Sequence, residues 1–266
     1  MIFVATHTYT LGKVFGHERA VDELHKQIQN ADNKSLPCVR TIARLRTMDE
    51  LILWNDSGAT RLAESRSRAF HEGLQQLKSP HDVWFAVDDD CECTIDTLRW
   101  MLEAVRSSKG VCVAPYWARS SDDYEPFIVV NLPVLEPGQR RQFRELTGGG
   151  FATQAKCGGM GLIAIAFDAM RSIALANEEP RYCDRNKIWR RALFLEFIRD
   201  GLWLGEDSAF FARIPPNVTV EALASGITSH NSERLDLGLI RQSDEILSSH
   251  TPQQSIDDEP APETMH

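Results

Sequence analysis

Long apolar runs are missing from this chain of 266 residues, and none approaches the ~20 residues that a membrane-spanning helix needs. The opening stretch, Met1 to Thr10, has no basic segment and turns polar after Ala5. It reads as a buried strand rather than a secretory leader. Internal repeats are also missing, which excludes fibrous and coiled-coil architectures. The six cysteines (Cys38, Cys91, Cys93, Cys112, Cys157 and Cys183) include no Cys-x-x-Cys pair. Several lie in strand-like runs, so buried reduced thiols and a cytoplasmic setting are expected in preference to disulfides or zinc. No Gly-Lys-Ser/Thr closes a phosphate loop, no Gly-x-Gly-x-x-Gly follows the first strand, and no Gly-x-Ser-x-Gly is present. These absences remove the usual nucleotide-loop and serine-hydrolase signatures.

What is present is ordinary globular composition, 42% hydrophobic and 25% charged, which excludes disorder of the whole chain. The net charge is −9. Asp257, Asp258, Glu259 and Glu263 contribute part of it from a Pro-, Gln- and acid-rich end, read over 251–266 as a disordered acidic tail. The mildly acidic body argues against a broad nucleic-acid footprint but leaves a local basic groove open.

Apolar runs alternate with helix-period segments. Ile2–Ala5, Leu51–Trp54, Val83–Val87 and Val111–Ala114 read as strands. Between them, Ala20, Val21, Leu24 and Ile28 share a helical spacing, as do Leu62 to Leu77 and Ile95 to Val105. This rhythm predicts an α/β fold, a largely parallel sheet with helices on both sides. In the second half, Phe127–Leu132 reads as a strand, Gly148-Gly149-Gly150 as a loop or hinge, and Ile188–Ile198 as a helix. Leu162–Phe167 is too short to assign as a helix, and Val218 and Val220 suggest a late strand.

Asp88-Asp89-Asp90 directly follows the third strand. In open α/β sheets ligands bind at the carboxyl ends of strands. Three adjacent carboxylates repel one another unless a cation or donors compensate, and hard oxygens suit Mg²⁺ or Mn²⁺. The competing reading is that Asp89, Asp90 and Glu92 decorate the start of the next helix, where the dipole favours acids. Glu206-Asp207 precedes the apolar Ala209-Phe210-Phe211 and reads either as a site or as a helix start. His230 and the Gly158-Gly159-Met160-Gly161 turn carry the same ambiguity.

The order of these features is more telling than any one of them. A strand ending in Asp-x-Asp, a Gly-Gly-x-Gly turn with an apolar run, Gly-Glu-Asp before aromatics and a late His together resemble the GT-A glycosyltransferases, particularly the family-2-like members. Ser65-Arg66-Ser67-Arg68-Ala69 is similar to the Ala-Arg-Asn stretch of that fold's early helix. The resemblance spans roughly Ile2 to Asn231. It implies a Rossmann-like GT-A domain over 1–250, with a nucleotide-sugar half at 1–118 and an acceptor half at 119–250. The sheet it implies is mixed and mostly parallel. The implied activity is metal-dependent transfer of a sugar from a nucleotide-sugar, a UDP-sugar being favoured, to an acceptor hydroxyl, with inversion.

The resemblance also distributes roles. Asp88, Asp90 and His230 match the metal site for Mn²⁺ or Mg²⁺, with Asp88 directed toward ribose or sugar beside Asp89. Asp207 matches the catalytic base, and Glu206 orients the acceptor. Arg66 matches the helix arginine near the diphosphate. Thr6, His7 and Thr8 fall where the nucleotide is wrapped, Asp56 where the base is read, and Gly159 beside donor and acceptor. The sequence departs from the family pattern after the first strand (Thr-His-Thr-Tyr-Thr) and at Ser67, where Asn is common.

The acceptor stays open among a saccharide, a protein and a hydroxylated DNA base. Arg140, Arg141 and Arg144, then Arg181, Arg185, Lys187, Arg190 and Arg191, read either as an anion-binding patch or as a solvated surface. Two other classes fit less of the pattern: a sugar-1-phosphate nucleotidylyltransferase, for which Gly12-Lys13 lacks a glycine cluster, and a non-catalytic sugar-nucleotide or glycan-binding module.

Overall fold

The computed structural model describes residues 1–7, 17–55, 62–118, 127–178, 181–183, 187, 189–199, 202–231 and 233–242. The acidic tail therefore lies outside the described residues.

In chain order the strands and helices are β1 (Ile2–His7), α1 (His17–Gln29), α2 (Pro37–Arg46), β2 (Leu51–Asn55), α3 (Leu62–Gln76), β3 (Val83–Asp88), β4 (Cys91–Cys93), α4 (Ile95–Ser108) and β5 (Val111–Val113). Then come β6 (Trp117–Ala118), β7 (Phe127–Ile128), β8 (Val130–Asn131), β9 (Phe143–Leu146), β10 (Gly150–Gln154), β11 (Cys157–Gly158), β12 (Leu162–Ala166) and α5 (Phe167–Ala176). The remainder is β13 (Arg181–Cys183), β14 (Trp189–Arg191), β15 (Phe197–Arg199), β16 (Leu202–Leu204), α6 (Glu206–Phe211), β17 (Val220–Leu223), β18 (Ile227–His230) and β19 (Glu233–Asp236).

Eight strands form one mixed sheet in the order β2-β1-β3-β12-β5-β17-β10-β9, with helices packed against it. The four strands expected in the first half are all in it, and β17 follows the expected late strand. β1 lies parallel between β2 and β3, in a register that sets His7 opposite Asp88. β12 runs antiparallel between β3 and β5. Its five residues are all buried, so the short run left unassigned from sequence is a central strand with both faces covered. Because β12 comes from the second half of the chain, the two halves share one sheet. None of the helices among the described residues is long and apolar enough to cross a membrane.

Helix α4 starts where Thr94 accepts a hydrogen bond from the Thr97 amide, and it ends at Lys109, which takes the left-handed conformation. Helix α2 was not expected. Its buried Cys38, Val39, Ile42 and Leu45 hold helical spacing behind Pro37 in the first turn, but interleaved arginines and threonines mask the pattern.

The glycine loop is placed, and two expectations are corrected. Gly148-Gly149 is a hairpin turn joining β9 to β10, with both glycines at positive φ. It is tied to α4, since Trp100 Nε1 donates to the Thr147 carbonyl (2.9 Å) and the Thr147 amide donates to Glu103 (2.9 Å). Of the expected helix Ile188–Ile198, the described residues 189–198 are not helical. β14 pairs with β13, β15 pairs with β16, and the buried residues between them include Phe194, stacked on Phe210 with ring centroids 4.6 Å apart. Such a stack contributes ~0.5–1.5 kcal/mol beyond its area. Phe127–Leu132 is two short pieces on different partners, β7 with β6 and β8 with β11.

Candidate active site

The carboxyl ends of β1 and β3 converge on a turn that holds the acids. The Asp88 amide donates to the Gly161 carbonyl (3.0 Å), and the Asn231 amide donates to the Asp90 carbonyl (3.2 Å). β4 continues from this turn and pairs with β18, which places Cys91 opposite His230. The alternative reading of the acids as helix decoration fails here. Helix α4 begins at Ile95 behind its Thr94 cap, and Glu92 is bound by Arg40 and Arg44 of α2.

Two clusters sit side by side. In the first, His230 Nε2 lies 3.1 Å from Asp90 Oδ2, and the His230 ring packs on Tyr116. Ligand atoms of Asp90, Cys91 and His230 all lie within 4.8 Å of one another. The hydrogen bond and charge of Asp90 raise the His230 pKa. Burial works to raise the Asp90 carboxyl, but the contacts with His230 outweigh it and leave the carboxyl below its ordinary value. Asp89 is raised by burial and by its two acidic neighbours. The oxygen and imidazole nitrogen of Asp90 and His230 suit Mn²⁺ or Zn²⁺, the sulfur of Cys91 suits Zn²⁺, and Mg²⁺ prefers oxygens alone. Cys91 was not anticipated. The alternation Asp-Cys-Glu-Cys carried the signal, because it sets Cys91 and Cys93 on one buried face.

The second cluster is built on Arg66, which is 2% exposed. Its Nη2 donates to both oxygens of Asp88 (3.1 and 2.9 Å). Its Nη1 donates to Glu206 Oε1 (2.7 Å) and Asp207 Oδ1 (2.6 Å). The Met160 amide, in the Gly-Gly-Met-Gly turn, donates to Asp207 Oδ2 (3.2 Å). The turn comes this close because its glycines lack side chains: a Cβ on Gly159 would lie 2.2 Å from the Tyr116 hydroxyl, and one on Gly161 would lie 2.7 Å from Cys91 Sγ. Asp88 therefore faces Arg66 and lies outside the Asp90–Cys91–His230 group.

Glu206 is raised to about 7, chiefly by burial, with Asp207, Asp88 and Glu196 adding to the rise and Arg66 opposing it. Burial also raises Asp207, against the pull of Arg66 and the Met160 amide. The folded chain thus holds the Glu206 proton more tightly than the unfolded chain does. Its contribution to stability is full below the ordinary carboxylate pKa and is lost as pH rises through about 7. Between these limits the wild type is expected to lose about 2–3 kcal/mol relative to Glu206→Gln. Urea unfolding of both proteins across that range measures the difference, and a pH-independent gap would remove the assignment.

The other expected residues are placed differently. Thr6 is fully buried beside the Cys38 thiol, at the level of Val87 in β3. His7 is described only in its backbone, opposite Asp88. Thr8 and Asp56 lie outside the described residues. Ser67, at the departure from the family pattern, donates to the Ala63 carbonyl and accepts from the Phe194 amide. The arginines of the second half fall into two groups, Arg181, Arg190 and Arg191 on the β13–β14 pair and Arg141 and Arg144 elsewhere. Arg144 is paired with Glu221 at the sheet edge, Arg141 donates to the Pro133 carbonyl, and Arg190 of β14 pairs with Glu72. Arg185 lies outside the described residues.

A cavity of about 880 Å³ opens beside Glu206 and Asp207, bounded by the first turn of α3, by β13 and by the segment between β14 and β15. Sequence gave no sign of it, because its walls come from segments far apart in the chain.

No family model matches the chain, and no curated protein matches it. Among solved structures it is similar to A197 from STIV, with 15% identity over 89% of this chain and 90% of that one and a TM-score of 0.46. It is also similar to GalNAc-T7, solved with UDP, GalNAc and Mn2+, with 10% identity and a TM-score of 0.44. That second match covers 86% of this chain and 43% of the other.

Proposed function

We propose that this chain is a metal-dependent glycosyltransferase. It moves a sugar from a nucleotide-sugar, a UDP-sugar being favoured, to an acceptor hydroxyl with inversion at the anomeric carbon. The observation that carries this reading is the convergence of Asp88, Glu206 and Asp207 on one buried arginine, next to the Asp90–His230 pair and at the carboxyl ends of parallel strands. Carboxylates packed this densely around one guanidinium leave negative charge that a cation offsets.

Asp90 and His230, with Cys91 behind them, would hold the divalent cation. When bound, it supplies Lewis-acid stabilisation of the departing diphosphate. Asp207 takes the proton from the acceptor hydroxyl. The acceptor oxygen then bonds to the anomeric carbon as that carbon's bond to the diphosphate oxygen breaks. Glu206 orients the acceptor, and Asp88 and Asp89 line the donor side. Arg66 is a positioning residue: it fixes Asp88 on one arm and both acids of α6 on the other. The acceptor hydroxyl belongs to a saccharide, a protein or a hydroxylated base.

Thermal unfolding against nucleotides and nucleotide-sugars, with and without Mn²⁺, tests the donor side. A donor at ~100 times its Kd is expected to stabilise the chain by ~2.7 kcal/mol. The shift should depend on Mn²⁺ and vanish in Asp90→Ala. No shift with any nucleotide would overturn the reading, and binding without turnover on any acceptor would leave a non-catalytic module.

A further inference from the structure

The cavity beside Glu206 and Asp207 has a definite chemical character. Glu64, Glu196, Glu206 and Asp207 line it, against Arg181 as the one cation among its described lining residues. The Arg181 Nε is already directed to the Glu178 carbonyl (2.8 Å). Arg66, which offsets charge on Glu206 and Asp207, is buried behind them and is shared with Asp88. The rest of the wall is largely apolar. Leu62 and Leu195 stay 38% and 48% exposed at its rim, and Tyr182 stands in the wall with its hydroxyl donating to the Glu64 carbonyl (3.2 Å). An apolar wall exposed to water stabilises a complex when a ligand covers it. Carboxylates at the mouth favour positive charge and repel negative charge, more strongly where low-dielectric walls focus the field.

We propose that this cavity takes an acceptor whose hydroxyl is carried on an apolar body bearing a cationic group, and that it turns away anionic acceptors. Calling the occupant an acceptor rests on the transferase reading, whereas the charge preference rests on the cavity alone. The cavity is large enough for a drug-sized body. A ligand seated with its apolar part on Leu62, Leu195 and Tyr182 meets Glu64 and Glu196 on one side and its hydroxyl meets Asp207 on the other. Among the described lining residues a phosphate-rich acceptor would meet four carboxylic acids and one arginine. Of the arginines that could have formed an anion patch, Arg144 is held by Glu221, Arg190 by Glu72 and Arg141 by a backbone carbonyl.

Three probes of matched shape isolate charge: tyramine (cationic), tyrosol (neutral) and 4-hydroxyphenylacetate (anionic). Their binding to the full chain is measured by calorimetry or ligand-observed NMR at neutral pH and low salt. Tyramine is expected to bind tightest, about fivefold or more ahead of 4-hydroxyphenylacetate, with the gap closing in high salt. Glu196→Lys, an exposed position at the cavity wall, is expected to level or reverse the order, and Leu195→Asp to weaken tyrosol. Equal or tighter binding of the anion, an order unmoved by Glu196→Lys, or no saturable binding of any probe overturns the proposal. A parallel titration with UDP-sugars and Mn²⁺ separates the two readings. Donor binding without the probe order removes only the cavity proposal. The probe order without donor binding removes the transferase and leaves a cation-selective binding pocket.

Discussion

Replacing Arg66 by methionine is expected to cost about 3–5 kcal/mol of stability at neutral pH, the range for breaking a buried charge network by removing one partner. The side chain is 2% exposed and is the shared partner of Asp88, Glu206 and Asp207. Methionine keeps much of the volume, so the loss is electrostatic rather than a cavity effect. With the guanidinium gone, carboxylates already disfavoured by burial face one another without a cation, and their proton affinities rise further. Protonation relieves that repulsion, so the deficit should shrink as pH falls toward 5 and should shrink again when Mn²⁺ is added. Arg66→Lys should fall between the wild type and Arg66→Met, because one ammonium cannot serve acids on two arms at once. Urea unfolding of the three proteins at pH 5 and 7 measures this. A loss below about 1 kcal/mol, or one unaffected by pH, would mean that the acids are kept apart by some other means.

That arginine also shows where sequence reading succeeds and where it stops. β1, β3 and β5 were legible because each is an apolar run buried on both faces, and the acids after β3 were legible because they end such a run. The position of Arg66 near the site was legible too, but its partners were not. Asp88 is 22 residues away and Asp207 is 141, and only the packing of α3 against the sheet and α6 decides that one guanidinium meets both. Residues 189–198 failed for the opposite reason. Their apolar spacing suits a helix, yet the segment is used as two short strands around Phe194, whose partner Phe210 is supplied from α6. Periodicity reports which side chains are buried. When the partner is distant it does not report the geometry of burial. Cys91 was passed over because a lone thiol in a strand is usually core, and its meeting with His230 depends on the β4–β18 register.

Asp207→Asn is expected to lower kcat/KM for transfer by about 10³-fold, within the 10²–10⁴ that a positioned general base contributes. Donor affinity should stay within about twofold of the wild type, because the substitution preserves shape and Asp207 meets the acceptor, not the nucleotide, in the proposed arrangement. Both of its oxygens are held in place, Oδ1 by Arg66 and Oδ2 by the Met160 amide, so the carboxylate is preorganised and needs no reorientation to accept a proton. The same contacts make asparagine awkward. Whichever way its amide turns, the NH₂ faces a donor that already needs an acceptor, which costs about 1–3 kcal/mol of stability. Activity must therefore be compared at a temperature where the variant is fully folded. Glu206→Gln provides the contrast, since its loss should be smaller and should fall more on acceptor KM than on kcat. The stereochemistry of the product, read from the coupling of its anomeric proton, completes the test. Inversion together with a 10³-fold loss assigns the proton to Asp207. Retention would reduce Asp207 to a group that positions the acceptor, and equal loss of donor binding and transfer would end its assignment as the base.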